Sequence, residues 1–133
     1  MINKLVLEKT VYNSNCVFCK IIQKQIQATI VKETENIIVI KDLYPKSPYH
    51  YLIMPKIHIE NLCFIKDEEL NFLSEMGKIA RDLAKEIAMQ NNMSEPIAFN
   101  LVSNNGANAG QSVFHIHWHF LAGKNIYKDG LKL

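Results

Sequence analysis

The sequence predicts an α+β fold, an antiparallel sheet of about five strands with one long and one short helix. Three observations carry this. Residues 67–92 repeat apolar side chains at helical spacing. Several short β-branched runs follow one another with turn residues between them, as hairpins do and crossover units do not. Near the C-terminus, in the run at 111–120, residues 115–120 alternate histidine with apolar residues at the two-residue period of a strand.

Taken in order, residues 1–13 read as an N-terminal extension of one domain spanning 1–133. Lys4, Glu8 and Lys9 interrupt residues 1–10, which therefore lack the apolar region of a signal peptide. Residues 16–25 predict a short helix with Phe18, Ile21 and Ile22 on one side. Residues 28–32 and 37–41 are β-branched strands joined by the Glu33-Thr34-Glu35-Asn36 turn. Pro45 and Pro48 punctuate the loop at 42–48, each pushing its predecessor out of the helical region. Residues 49–54 return to strand and Pro55 ends it. In the long helix, Leu70, Leu73, Met76, Ala80, Leu83, Ile87 and Ala88 make one apolar stripe. Asp67 is the expected N-cap, Glu68 and Glu69 suit the first turn, and Asn91-Asn92 supply the stop. Glu95-Pro96 breaks the chain before a strand at 97–102. A turn-rich loop at 103–110 then leads into the histidine strand.

Composition narrows the function classes. In 133 residues, 48% hydrophobic and 21% charged describe a globular chain with a core. A net charge of +2 with scattered lysines does not support a polynucleotide partner. No apolar run approaches the roughly 18 residues of a membrane span. Three cysteines, an odd count, fit a reducing cytoplasm better than a disulfide framework.

Five histidines occur in the chain, and His115, His117 and His119 share one face of the predicted strand while Ile116, Trp118 and Phe120 share the other. Such a row suits proton transfer, nucleophilic attack or metal binding, because imidazole titrates near neutrality. It could also be a merely histidine-rich structural strand. The preceding loop combines Asn104, Gly106, Gly110, Gln111 and Ser112; taken alone it is a surface turn, but beside the imidazoles its donors and glycines can hold an anion. Cys16 and Cys19 have zinc-ligand spacing, with a dithiol redox site and plain apolar packing as the alternatives. Cys63 carries no message.

Three segments in order, Cys16-Val17-Phe18-Cys19-Lys20-Ile21-Ile22, residues 48–59 and residues 110–121, together resemble the histidine triad family, whose signature alternates histidine with apolar residues. The resemblance covers roughly residues 16–123 and is strongest to the branch of small dimeric histidine-triad nucleotide-binding proteins, of nucleoside phosphoramidase type. It implies hydrolysis of purine nucleoside phosphoramidates, such as AMP conjugates, at the α-phosphate through a covalent nucleotidyl-histidine. Dinucleoside polyphosphate hydrolysis, or a binding module with vestigial catalysis, are its alternatives. It implies His117 as nucleophile, His119 as phosphate and leaving-group partner, His50 as a fourth histidine beside them, and Ser112 and Gln111 on phosphate or leaving group. Asn104 matches a position near phosphate and sugar, Asp42 the carboxylate for the ribose hydroxyls, and Leu43 and Phe18 the base pocket. Some bacterial members hold a structural zinc on residues matching Cys16, Cys19, His58 and His115; no organic cofactor is implied. A homodimer pairing through the long helix and a sheet edge is implied as well. Three positions depart from the pattern. Trp118 is bulkier than the usual aliphatic residue, Ala109 stands where glycine is frequent, and the sequence ends at Leu133 without the aromatic-proline tail that shapes the leaving-group side in some relatives.

Overall fold

The computed structural model describes residues 12–128 and Gly130; most of the expected N-terminal extension, residues 1–11, lies outside the described residues. Five strands, β1 (Ile30–Glu33), β2 (Ile37–Lys41), β3 (Tyr49–Pro55), β4 (Phe99–Ser103) and β5 (Trp118–Ala122), form one antiparallel sheet in the order β1-β2-β3-β5-β4. Helix α1 (Val17–Ile22) and the long helix α2 (Asn71–Gln90) cover its two faces. The predicted α+β class, the antiparallel sheet and the two helices are all present. No helix among the described residues is long and apolar enough to cross a membrane.

Strand β2 shows why the sheet needs both helices. Ile37 and Val39 belong to the core under α2, while Ile38 and Ile40 belong to the core under α1. A strand buried on both faces reads as a continuous apolar run, not as an alternation. On the α2 side, Met76, Ile79, Leu83 and Ile87 pack with Ile53, Ile116 and Phe120. Burying each such side chain is worth on the order of 1.5–3 kcal/mol. Register sets which side chains face α1: His50 pairs with Leu121, and Leu52 with His119. The pleat alternates, so Tyr51, Trp118 and Phe120 go to the α2 side and His50 and His119 to the other.

Several expected boundaries shift: the short helix stops at Ile22 instead of Gln25, and the first strand runs Ile30–Glu33 instead of 28–32. The long helix begins at Asn71, because residues Asp67–Glu69 form a 3-10 turn closed by the Lys66 N–H donating to Glu69 Oε1 at 2.9 Å. Asp67 is therefore not the helix N-cap. Asn91 does end α2, its side chain donating to the Ile87 carbonyl at 2.8 Å. The fourth strand runs Phe99–Ser103, two residues later than its expected start. The largest change concerns the histidine run. Its ladder begins only at Trp118, because the Ile116 N–H donates to the Ile59 carbonyl at 2.7 Å and the His115 N–H turns back to the Val113 carbonyl at 3.0 Å. His115 and His117 thus lie on an extended lead-in, and only His119 sits within a strand.

Candidate functional site

A cleft of ≈ 380 Å³ opens on the α1 side of the sheet. Its walls are apolar, with Phe18, Ile21, Ile40, Leu52 and Val113 among them, and Asp42, Ser112, His117 and His119 supply the polar groups. An apolar cleft with a few convergent polar groups is the usual form of a small-molecule site. Phe18 is placed by α1, whose N-cap is Cys16: the Cys16 Sγ accepts from the Cys19 N–H at 3.3 Å. The Phe18 ring then stands edge-on to His117, with centroids 5.0 Å apart.

Hydrogen-bond partners fix which nitrogen of each ring carries the proton. His117 Nδ1 lies 2.8 Å from the His115 carbonyl, which can only accept, so Nδ1 is protonated and Nε2 keeps its lone pair. His50 Nδ1 accepts the Lys46 N–H at 3.0 Å, so its proton sits on Nε2, 2.8 Å from His119 Nδ1. His119 Nδ1 accepts that proton's bond, which leaves its own N–H on Nε2. The outcome is one ring with a lone pair beside one ring with a donor. His50 Nε2 also lies 3.4 Å from Asp42 Oδ2, while Asp42 Oδ1 takes the Tyr44 N–H at 2.8 Å.

Electrostatics favour the neutral rings. Burial holds His119 down to about 4, with His117 and His50 adding to the effect. Burial also lowers His117, against the pull of its bond to the His115 carbonyl and of Asp42. His50 is lowered for the same first reason, opposed by Asp42. A neutral imidazole has a nucleophilic nitrogen; an imidazolium has none.

A second cluster lies behind the first. Cys16, Cys19, His58 and His115 bring their four ligand atoms within 4.8 Å of one another. His115 Nε2 donates to the Pro55 carbonyl at 2.8 Å, so its Nδ1 lone pair faces Cys16 Sγ at 3.4 Å and Cys19 Sγ at 3.7 Å. His58 Nδ1 lies 3.4 Å from Cys19 Sγ. Tetrahedral zinc, with Zn–S of about 2.3 Å and Zn–N of about 2.0 Å, separates its ligands by roughly 3.3–3.8 Å, which these distances match. The carbonyl behind His115 is the kind of outer partner that orients metal-binding imidazoles. Burial pushes the Cys19 thiol up to about 11, with the Asn13 N–H pulling against it and the Cys16 sulfur adding to it. That is the opposite of the low-pKa thiolate a dithiol redox centre uses.

Phe18, Asp42, Leu43, Ser112, His117 and His119 all line the cleft, with His50 buried directly behind His119. Asn104 and Gln111 are not among its lining residues. The Gln111 side chain is buried and fully engaged with main chain: Nε2 donates to Glu60 O at 2.7 Å and Val113 O at 3.0 Å, and Oε1 accepts from Gly106 N at 2.8 Å. It clamps the loop. Asn105, not Asn104, ties the same loop down, accepting the Leu62 N–H at 2.9 Å. Sequence reasoning did not locate the main-chain groups that set the tautomers, the Lys46 N–H and the Pro55 and His115 carbonyls, since a main-chain group leaves no trace in a residue pattern. It also missed Asn13, whose main-chain N–H reaches Cys19 Sγ at 3.5 Å and ties residue 13 to the cluster; a main-chain donor gives no signal in the residue types.

Residues 15–129 match the family model described as "Scavenger mRNA decapping enzyme C-term binding". An uncharacterized HIT-like protein of Chlamydia muridarum is 42% identical over 107 residues, 80% of each chain. A histidine triad protein from Clostridium difficile superposes with a TM-score of 0.76 at 35% identity, covering 85% of this chain and 94% of that one. A HIT family hydrolase from Legionella pneumophila gives 0.74 at 37% identity, covering 84% and 95%.

Proposed function

Because this chain belongs to the histidine triad family, we propose that it is a nucleotidyl hydrolase cleaving purine nucleoside phosphoramidates at the α-phosphate. The observation that carries the reading is the His117 ring. Its Nδ1–H is spent on the His115 carbonyl, and its Nε2 lone pair belongs to a ring that lines the cleft with His119 and Ser112. In the first half-reaction Nε2 attacks phosphorus, an Nε2–P bond forms and the P–N bond breaks. The leaving nitrogen takes up one proton from the solvent on the His119 side and departs as the amine. In the second half a water oxygen attacks phosphorus, the Nε2–P bond breaks, and one proton returns to solvent with release of the nucleoside monophosphate. The two protons cancel over the cycle. The His119 Nε2–H donates to a phosphoryl oxygen or to the leaving nitrogen, and His50 holds that ring in register. Asp42 faces the ribose hydroxyls, and the Phe18–Ile40–Leu52 wall takes the base.

Cys16, Cys19, His58 and His115 would hold zinc, four protein ligands closing a structural site. The metal would tie α1 to the lead-in segment of the histidine run and so keep Phe18 against His117. Support for a homodimer comes from β4, a sheet-edge strand that leaves Phe99 and Leu101 about two-fifths exposed. A reducing, cytoplasmic setting suits the buried thiols.

The test is His117→Ala, assayed on an AMP–amine conjugate alongside calorimetric AMP binding. Turnover should fall by roughly 10³-fold or more while AMP still binds. Full activity in that variant would remove His117 from the mechanism.

A further inference from the structure

The cleft runs from β5 to the segment ahead of β1. Ser112, His117 and His119 mark its reactive end, and Ile26, Gln27 and Ala28 line the other. Strands β2 and β3 lie between, so three strand spacings, on the order of 14 Å, separate the two ends. Beyond residues 26–28 the surface dips again into a depression of ≈ 300 Å³, whose lining adds Lys24 and Ile30. Ile21, Ile26, Gln27 and Ala28 line both hollows, which makes them one continuous surface. The end of α1 builds the shared rim. Lys24 takes a left-handed conformation, φ +63°, and the Gln25 N–H returns to the Lys20 carbonyl at 2.8 Å, a reversal that turns Ile26 outward. Ile26 is left 40% exposed and Ile30 41%. Lys24 gives its ammonium to Glu33 at 2.9 Å, so the charge beside these isoleucines is offset.

We infer that this depression is a subsite for an apolar substituent on the outer edge of the base, and that the chain accepts adenine nucleotides alkylated on the exocyclic amine. The inference rests on the nucleotide reading above and extends it past the base itself. With phosphorus at His117 and the base against Phe18, Ile40 and Leu52, the base edge farthest from the ribose meets the rim at residues 26–28. A monoalkylated exocyclic amine keeps one N–H, which the Gln27 carboxamide can accept. Its alkyl group then meets Ile21, Ile26 and Ile30. An unsubstituted adenine leaves the exposed part of those isoleucines in water, and an alkyl chain laid against them removes apolar surface from water on both sides. Guanine carries a carbonyl at the matching position and has no branch point there.

Calorimetry on the full-length protein compares the binding of AMP, N6-isopentenyl-AMP and N6-(2-hydroxyethyl)-AMP, and needs no turnover. The isopentenyl compound should bind about tenfold more tightly than AMP, the effect of burying roughly two methylenes, and the hydroxyethyl compound should gain little. Ile30→Thr keeps a β-branched residue in the strand but puts a hydroxyl in the depression, and should cut the isopentenyl-to-AMP ratio several-fold. Ile26→Ala should do the same from the rim. The ratio is taken within one protein, so a change in stability does not imitate it. Equal or weaker binding of the isopentenyl compound by the parent, or a ratio unmoved in both variants, would overturn the subsite and leave the nucleotide site standing. A gain as large with the hydroxyethyl compound would overturn its apolar character. Absence of binding by all three would remove the nucleotide reading and the subsite with it.

Discussion

Replacing Gln111 with leucine should cost the fold more than it costs the chemistry. The buried amide makes three hydrogen bonds to main chain, at 2.7, 2.8 and 3.0 Å, that join the loop at 103–110, residue 60 and the start of the histidine run. A leucine fills much the same volume and makes none of them. At about 1 kcal/mol per net hydrogen bond, with more where a main-chain group is left dry, the loss sums to roughly 3 kcal/mol. Glu in place of Gln is the sharper perturbation. A carboxylate could still accept from Gly106, but it would face two carbonyl oxygens with no proton to offer. Gln111→Glu should thus cost at least as much as Gln111→Leu near neutral pH, and less in acid as the carboxyl takes up a proton. Urea denaturation followed by circular dichroism reads both, with the midpoint shift taken at unchanged slope. A Leu variant within about 0.5 kcal/mol of the parent would refute the clamp, because surface substitutions stay within that margin.

Four further outcomes follow from the geometry. Burial lowers His117 and holds His119 down to about 4, so the acid limb of kcat/KM should lie below the ordinary histidine value; a limb centred at or above that value would contradict the burial argument. Between the unfolded-state value and the folded value of about 4, the unfolded chain binds more protons at His119, so unfolding free energy falls as pH drops through that window. Allowing for its part-exposed ring, the loss is about 2 kcal/mol, checked by urea midpoints across the window. Protein purified without chelator should carry about one zinc per chain by mass spectrometry, and a Cys19→Ser, His58→Ala pair should lose it with a lowered thermal midpoint; full occupancy in that double variant would dismiss the cluster as ligands. Gly123→Ala should destabilise by about 2 kcal/mol, because φ is +100° and the new Cβ would meet Pro48 Cβ at 2.9 Å. The push passes to the loop that presents His50, so a thermal midpoint unchanged to within a degree would argue that Pro48 yields freely.

Much of the fold could be read from residue periods. The α2 stripe and the β-branched run at 37–41 carry their own geometry; the run appears where the pattern put it, and the stripe does so from Leu73 on, while Leu70 precedes the helix and is exposed. The histidine run shows the limit. Alternation of side chains reports an extended chain, but it is blind to whether main-chain groups pair with a strand. Residues 115–117 alternate as strictly as 118–120 yet bond to the Ile59 carbonyl instead of to a ladder. The start of α2 moved for a similar reason: Asp67, Glu68 and Glu69 suit any helical turn, and whether it is a 3-10 turn depends on the Lys66–Glu69 bond. At the site, residue types singled out the three histidines of the run, whereas Asp42 read by itself as a turn residue before Pro45 and only the family resemblance marked it. They could not separate Gln111 as a clamp from Gln111 as a ligand contact, since the same amide serves either use and only the positions of three main-chain groups decide.

The His117 ring is aimed by a peptide carbonyl, which gives it an unusual resistance to mutational drift. No single side-chain replacement elsewhere can delete that acceptor. What can move it is the peptide of His115, whose own ring is pinned by the Pro55 carbonyl and the two thiols. Sequence change can therefore re-aim this ring only indirectly, through the cysteine–histidine cluster to which His115 itself belongs. In laboratory evolution of this scaffold, altered reactivity should accumulate around that cluster and α1 before it appears among the residues lining the cleft.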